Sequence, residues 1–270
     1  MSHTPAPDYI AIKVKQQATW AAGDYAQIGS RIQIVGENLC EALDLHSGWR
    51  VLDVAAGNGN ASLAAARRFC EVTSTDYVPA LLEHGKARAE ADGLAVKFQE
   101  ADAENLPFAD GAFDVVMSTF GVMFTPHQER SAAEMFRVCK LGGKIGLANW
   151  TPSGFVGQIF KVIGKYIAPA PGLNPPSMWG TEARLHELFS TAASIHATPT
   201  MCSFRYLSPE HWLEIFRTFY GPTVKAFAAL DTQGGEALST DLKTLMAQLN
   251  RATDGTLIID SEYLEVVITK

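Results

Sequence analysis

The chain is poor in the features that would place it in a bilayer, on a nucleic acid or around a metal. No apolar run approaches the roughly 20 residues that span a membrane, and no membrane span is expected. Lysine and arginine number 22 against 29 aspartates and glutamates, for a net charge of -7, and no basic cluster offsets it beyond the adjacent pair Arg67-Arg68. Such a surface repels phosphate backbones, so no nucleic-acid partner is expected. Cysteine is scarce: Cys40, Cys70, Cys139 and Cys202 are far apart, with no C-x-x-C pair and no histidine at ligand spacing. They read as reduced structural residues, with no metal site. The opening Met1-Ser2-His3-Thr4-Pro5-Ala6-Pro7 has neither a basic segment nor an apolar core. It resembles a loose tail more than a signal peptide, and a cytoplasmic location is the default expectation. With 270 residues, 47% hydrophobic and 19% charged, nothing marks a second domain, and a single domain over 1–270 is expected.

What the chain does have is the stretch Val51-Leu52-Asp53-Val54-Ala55-Ala56-Gly57-Asn58-Gly59. A buried parallel strand that turns sharply into a helix needs glycine, because side chains at the turn would keep a ligand from the backbone amides. A dinucleotide turn usually carries its ribose acid only on the next strand, so an acid at Asp53, ahead of the glycines, favours a ligand without phosphate. From here the chain alternates: strand 50–55, helix 60–69, strand 71–75, helix 79–92, strands 95–99 and 113–118, helix 127–139, strand 143–149. The alternation predicts an α/β, doubly wound, mostly parallel sheet.

Two helices precede the first strand, over 10–22 and, with Ile28, Ile32, Val35, Leu39 and Leu43 at helical spacing, over 28–43 up to Ser47-Gly48. They are expected to form a lid over about 8–46. After Trp150 a helical stretch over 155–166 leads into Ala168-Pro169-Ala170-Pro171-Gly172-Leu173-Asn174-Pro175-Pro176, which can be neither regular helix nor inner strand. The insertion at about 151–182, with Phe155, Phe160, Tyr166 and Trp179, reads either as a substrate cover or as aromatics packing onto the sheet. A helix over 181–190, a strand over 193–206, helices over 209–219 and 235–252 and a last strand over 261–269 complete seven strands.

In doubly wound sheets ligands sit beyond the carboxyl ends of the strands. The second strand runs into Asp76, suited to the two hydroxyls of a ribose, and Tyr77, suited to packing on a base. The third is followed by Glu100-Ala101-Asp102-Ala103, where an acid can accept an exocyclic amino proton. The fourth ends at Ser118-Thr119-Phe120-Gly121, and Leu141-Gly142-Gly143-Lys144 reads as a tight turn before the fifth. Singly, such acids are solvated loop residues and Gly-Gly is only a turn. In this order they match an adenosine that carries an amino-acid tail.

These residues, with Leu106-Pro107-Phe108, Phe113-Asp114-Val115-Val116 and Arg137-Val138-Cys139-Lys140-Leu141-Gly142-Gly143, carry a resemblance over about residues 10–150. The chain resembles the class I S-adenosylmethionine-dependent methyltransferases, in the small-molecule branch that includes the ubiquinone and menaquinone biosynthesis enzymes. The resemblance implies a Rossmann-like seven-stranded sheet with an antiparallel C-terminal strand, and S-adenosyl-L-methionine as cofactor. It implies that the backbone from Ala55 through Gly57 to Gly59 lines the methionine part, with Asp53 near its amino group and the Ser118 carbonyl toward it. Asp76 would hold the ribose, Asp102 and the Ala103 amide would meet the adenine, and Tyr77 would pack against it. Trp20 and Tyr25 read equally as an aromatic cover of the cofactor and as core. Two departures stand out: Ala55 replaces the usual first glycine of the turn, and Met123-Phe124 stand where many members carry histidines.

Methyl transfer from a sulfonium needs proximity, alignment and desolvation more than acid–base help. If the acceptor is a hydroxyl, His127, after Thr125-Pro126, is the histidine best placed by topology for a base; its other reading is a surface residue at a helix start. The expected acceptor is a largely apolar small molecule. Two rival functions remain open: an NAD(P)-dependent Rossmann oxidoreductase, since Gly57-x-Gly59-x-x-Ser62 partly imitates the dinucleotide fingerprint, and a non-catalytic S-adenosylmethionine-binding protein.

Overall fold

The computed structural model describes residues 7–270, so the tail reading of residues 1–6 lies outside the described residues. Helix α1 (Tyr9–Trp20) starts where the Asp8 carboxylate accepts from the Ala11 amide at 3.0 Å, an ordinary N-cap. The single helix expected over 28–43 is broken into α2 (Ala26–Gly29), a 3-10 turn (Ser30–Ile32) and α3 (Gln33–Ala42). Ile32, at φ -121 and ψ 20, makes the break. Both pieces then press on the glycine turn: a Cβ at Gly29 would stand 2.6 Å from Asn58 Oδ1, and one at Gly36 3.1 Å from the Ala61 backbone.

The βα alternation follows as β1 (Arg50–Val54), α4 (Asn60–Arg67), β2 (Glu71–Asp76), α5 (Pro79–Ala91), β3 (Val96–Glu100), β4 (Phe113–Thr119), α6 (Gln128–Val138) and β5 (Cys139–Trp150). Then come α7 (Phe155–Gly164), α8 (Glu182–Leu188), β6 (Ser194–Tyr206), α9 (Pro209–Phe219), α10 (Gly221–Ala228), α11 (Thr232–Leu249) and β7 (Leu257–Thr269). One seven-stranded sheet results, in the order β3-β2-β1-β4-β5-β7-β6. The first five strands are parallel, and β7 runs antiparallel to both β5 and β6.

Helices cover both faces, so Val51 to Val54 of β1 are all buried, as an inner parallel strand requires. On one face α3 and the alanines of α4 pack Leu39, Leu43, Ala61, Ala64 and Ala65 onto Val51, Val115 and Met117. The alanines let α4 lie close to the strands. The other face and the C-terminal strands carry a larger aromatic core. There Trp212 and Phe216 of α9 stack at 4.0 Å and meet Phe155 of α7 and Phe204 of β6.

Two expectations are corrected. Strand β5 begins at Cys139, not 143: Gly142, at φ 72, bulges rather than turns, and its amide donates to the Lys270 carbonyl at 3.0 Å. Helix α10 fills a stretch, 220–234, where the sequence reading places no element. Proline is well suited to a first turn, and Gly221 permits contact with α1, since a Cβ there would lie 2.0 Å from the Thr19 carbonyl oxygen.

Candidate cofactor and acceptor site

Strand order reverses between β1 and β4, and a cavity opens at their carboxyl ends, where doubly wound sheets bind ligands. It is lined by the turn after β1, the loops after β2, β3 and β4, and side chains of α1, α7 and α9. The turn is left-handed at Ala55 (φ 52), Gly57 (φ 57) and Gly59 (φ 80). Glycine adopts this freely, whereas for Ala55 it costs about 1–2 kcal/mol. The methyl fits because residue 121 is glycine: a Cβ there would stand 2.1 Å from the Ala55 carbonyl oxygen and 2.7 Å from its Cβ.

Asp76 closes the cradle from β2. Its carboxylate accepts the Gly57 amide and the Val78 amide, each at 2.9 Å, and the residue is 4% exposed. Burial pushes this carboxyl up to about 6, with the backbone amides opposing the rise. Asp53 is fully buried beneath the turn and outside the cavity lining. Its Oδ2 accepts from Ser62 Oγ at 2.6 Å while Oδ1 has no hydrogen-bond partner. Burial pushes this carboxyl up to about 7, the Ser62 bonds opposing it and the charge of Asp76 adding to it.

Tyr77, Asp102 and Ala103 line the same cavity. Asp102 is already engaged: Oδ1 accepts from the Glu104 amide at 2.9 Å, and Oδ2 pairs with Lys13 Nζ at 2.6 Å. Lys13 also reaches Glu104 Oε2 at 2.8 Å. Burial works against the Lys13 charge, but the bonds to Asp102 and Glu104 outweigh it and raise the ammonium's pKa. One turn on, Gln17 Nε2 donates to the Tyr77 carbonyl at 2.5 Å. Lys13 and Gln16, both in the lining, were missed in the sequence reading. A partner 89 positions away leaves no local signal.

Trp20 lies edge-on to Tyr25, Phe124 and Tyr220 at ring separations of 5.9, 4.9 and 5.7 Å, so it serves as cavity wall and core together. Burial pushes the Tyr25 hydroxyl up to about 12 and raises Tyr220 as well, keeping both neutral. Phe124, Phe160, Phe204, Phe216 and Ile159 make the remaining wall apolar. Phe216 and Tyr220 of the wall recur at helical spacing with Trp212, which stacks on Phe216 in the core, and that stripe was the signal that could have placed this segment at the site.

The structure thus brings Trp20, Tyr25, Ala55, Gly57, Asp76, Tyr77, Asp102 and Ala103 to one cavity and leaves Asp53, Gly59, Ser118 and His127 outside its lining. Gly59 starts α4. Ser118 Oγ donates to the Val54 carbonyl at 2.7 Å and accepts from the Val122 amide at 3.1 Å, tying β4 to β1, while Thr119 and Phe120 form the wall. His127 caps α6; its amide donates to Glu104 Oε1 at 2.8 Å, and its ring stacks on Tyr9 at 4.7 Å. Topology placed the histidine at the right strand end, but the ring turns to Tyr9.

A parallel sheet with an antiparallel seventh strand, a glycine turn after β1 and acids after β2 and β3 define the methyltransferase fold of the Rossmann-like class. Residues 51–143 match the family model described as a methyltransferase domain. An uncharacterized protein of Mycobacterium tuberculosis is 40% identical over 232 residues, covering 84% of this chain and 85% of the relative. The demethylmenaquinone methyltransferase of Deinococcus radiodurans is 35% identical over 131 residues, 47% of this chain and 54% of that enzyme. The solved structure of the YcgJ protein from Bacillus subtilis superposes with a TM-score of 0.62 at 19% identity, covering 87% of this chain and 97% of that one. The chain belongs to the class I S-adenosylmethionine-dependent methyltransferases, similar to the menaquinone methyltransferases.

Proposed function

We propose that the protein holds S-adenosylmethionine along the carboxyl ends of β1, β2 and β3 and transfers its methyl group to an apolar small molecule under the aromatic cover of α1, α7 and α9. The observation that carries this reading is the pairing of the Gly57 amide with the Asp76 carboxylate at 2.9 Å. In a dinucleotide site the amides of the glycine turn serve a pyrophosphate; here one is committed to a buried acid, and a second buried acid, Asp53, lies beneath. Two carboxylates at the turn repel a phosphate and suit a ribose diol and an ammonium. The residues fit the cofactor on its other side too: Asn58, in the lining, has a buried side-chain Nδ2 without a partner, and the bare face of Gly57 lies under the Tyr25 ring, where a Cβ would come within 3.3 Å.

Bound there, S-adenosylmethionine supplies an electrophilic methyl on a sulfonium. Asp76 orients the ribose, the Asp102–Ala103 corner reads the adenine, and Trp20, Phe124 and Tyr220 exclude water from the transfer. Among the described residues, the ionisable side chains of the lining are Lys13, Asp76, Asp102 and Glu104 at the nucleoside end, together with neutral Tyr25, Tyr77 and Tyr220. The acceptor end therefore works by alignment and desolvation, and His127 is a cap. A mass-spectrometric screen for methyl transfer over phenolic, quinone and amine compounds tests the reading. Products gaining one methyl only with S-adenosylmethionine present are expected; cofactor binding without transfer to any class would favour the non-catalytic alternative.

A further inference from the structure

Tyr220 stands between α9 and α10, capping the end of one helix and the start of the other, and it lines the cavity while only 8% exposed. Its ring meets Trp20 at 5.7 Å and Phe216 at 5.3 Å, which puts it in the aromatic wall of the acceptor end. Among the described residues no group hydrogen-bonds its hydroxyl, which burial first and the neighbouring Tyr25 second keep neutral. A buried hydroxyl without a partner is unfavourable. The Thr125 hydroxyl, in the same lining, is satisfied within the protein: its Oγ1 donates to the Val122 carbonyl at 2.8 Å and meets Ser131 Oγ at 2.8 Å.

The Tyr220 ring is held in place from both sides. The carbonyl of Phe219 accepts from the Asp24 amide at 3.0 Å, and a Cβ at Gly221 would stand 2.0 Å from the Thr19 carbonyl oxygen, so the end of α1 and the loop after it grip the residues on either side. A donor ordered in advance loses little entropy when a ligand meets it. What would meet it follows from the rest of the wall. Phe124, Phe160, Phe204 and Phe216 offer apolar rings, while the charged side chains of the lining, Lys13, Asp76, Asp102 and Glu104, gather at the nucleoside end. A charged amine would find no acid at the acceptor end to replace its water, and a plain hydrocarbon would leave the Tyr220 hydroxyl buried and unpaired. A flat ring that bears a carbonyl meets both demands: its face packs on the wall and its oxygen accepts from the phenol.

We propose that Tyr220 is a specificity residue for the methyl acceptor, its hydroxyl donating to a carbonyl oxygen on a planar aromatic substrate and so fixing which edge of that substrate faces the methyl group. The residue lies beyond the methyltransferase-domain stretch 51–143, in the part of the chain that covers the cavity. The proposal rests on the S-adenosylmethionine reading, and its test separates the two. Wild type and Tyr220→Phe, each saturated with S-adenosylhomocysteine, are titrated calorimetrically with coumarin and with naphthalene, flat bicyclic probes of similar outline of which only coumarin carries a carbonyl. Expected is an affinity for coumarin about three- to tenfold weaker in Tyr220→Phe, with naphthalene affinity no lower than in wild type. Phenylalanine keeps the ring, so a loss of packing would weaken both probes alike. An equal loss for both probes, unchanged coumarin affinity, or no coumarin binding by loaded wild type overturns the proposal. S-adenosylhomocysteine itself should bind the variant within about twofold of wild type; a larger loss would place Tyr220 on the cofactor and overturn the proposal as well. Wild type that fails to bind S-adenosylhomocysteine overturns the cofactor reading, and the proposal falls with it.

Discussion

Asp76→Ala is the substitution whose consequences the structure fixes most closely. The carboxylate is 4% exposed and already accepts two backbone amides at 2.9 Å, so it is aimed and desolvated before any ligand arrives. Hydrogen bonds from ribose hydroxyls to it therefore incur little fresh desolvation. Their loss should cost about 1.5–3 kcal/mol, a roughly 10- to 150-fold weaker Kd for S-adenosylhomocysteine. The same carboxyl is pushed up to about 6 by burial, so in wild type the charged acceptor is lost as pH falls through 6. Between pH 7.5 and 5, wild type should lose more affinity than Asp76→Ala, which has no such group to protonate. Calorimetric titrations at the two pH values, with a thermal melt as the folding control, read both effects. A variant that binds within twofold of wild type at pH 7.5 would refute the ribose assignment.

Three further outcomes are expected. Gly121→Ala would drive a Cβ to 2.1 Å from the Ala55 carbonyl oxygen, a clash of backbone against backbone that should lower stability by about 3 kcal/mol or more, visible as a lower denaturation midpoint. Asp53 has its pKa raised from 3.8 to about 7 on folding, so the native state holds its proton more tightly and stability falls as pH rises from about 4 to 7. Asp53→Asn should accordingly be more stable than wild type at pH 8, with the difference vanishing near pH 4; urea midpoints at both values check the sign. Lys13→Met removes the cation from Asp102 and from Glu104, which is 6% exposed, and should lower the apo protein's stability by about 1–3 kcal/mol in the same assay.

Much of the parallel half was legible because its signals are local. Apolar runs such as Val51-Leu52 and Val115-Val116 bounded by glycine turns gave the strands, and the ordered acids Asp76 and Asp102 gave the strand ends. What escaped depends on contacts far apart in sequence. The break at Ile32 arises because Gly29 and Gly36 lie against Asn58 and Ala61, and Gly142 continues a strand only because the chain end, Lys270, pairs with it. His127 was placed at the correct strand end, but where its ring points is set by Tyr9, 118 positions earlier in the chain. Asp53 and Ser118 stand near the ends of β1 and β4, as their sequence positions predict; the burial of their side chains beneath the turn and between β1 and β4 follows from contacts with Ser62 and Val54, which no spacing rule links to them. Lys13 reaches the cavity through tertiary packing alone, whereas Phe216 and Tyr220 left a helical stripe in the sequence.

The central claim is that the two buried acids at the glycine turn select a phosphate-free adenosine with an amino-acid tail. Parallel calorimetric titrations of the wild-type protein with S-adenosylhomocysteine and with NADH test it most directly. The expected result is saturable one-to-one binding of S-adenosylhomocysteine and no binding of NADH; saturable NADH binding with no response to S-adenosylhomocysteine would contradict it.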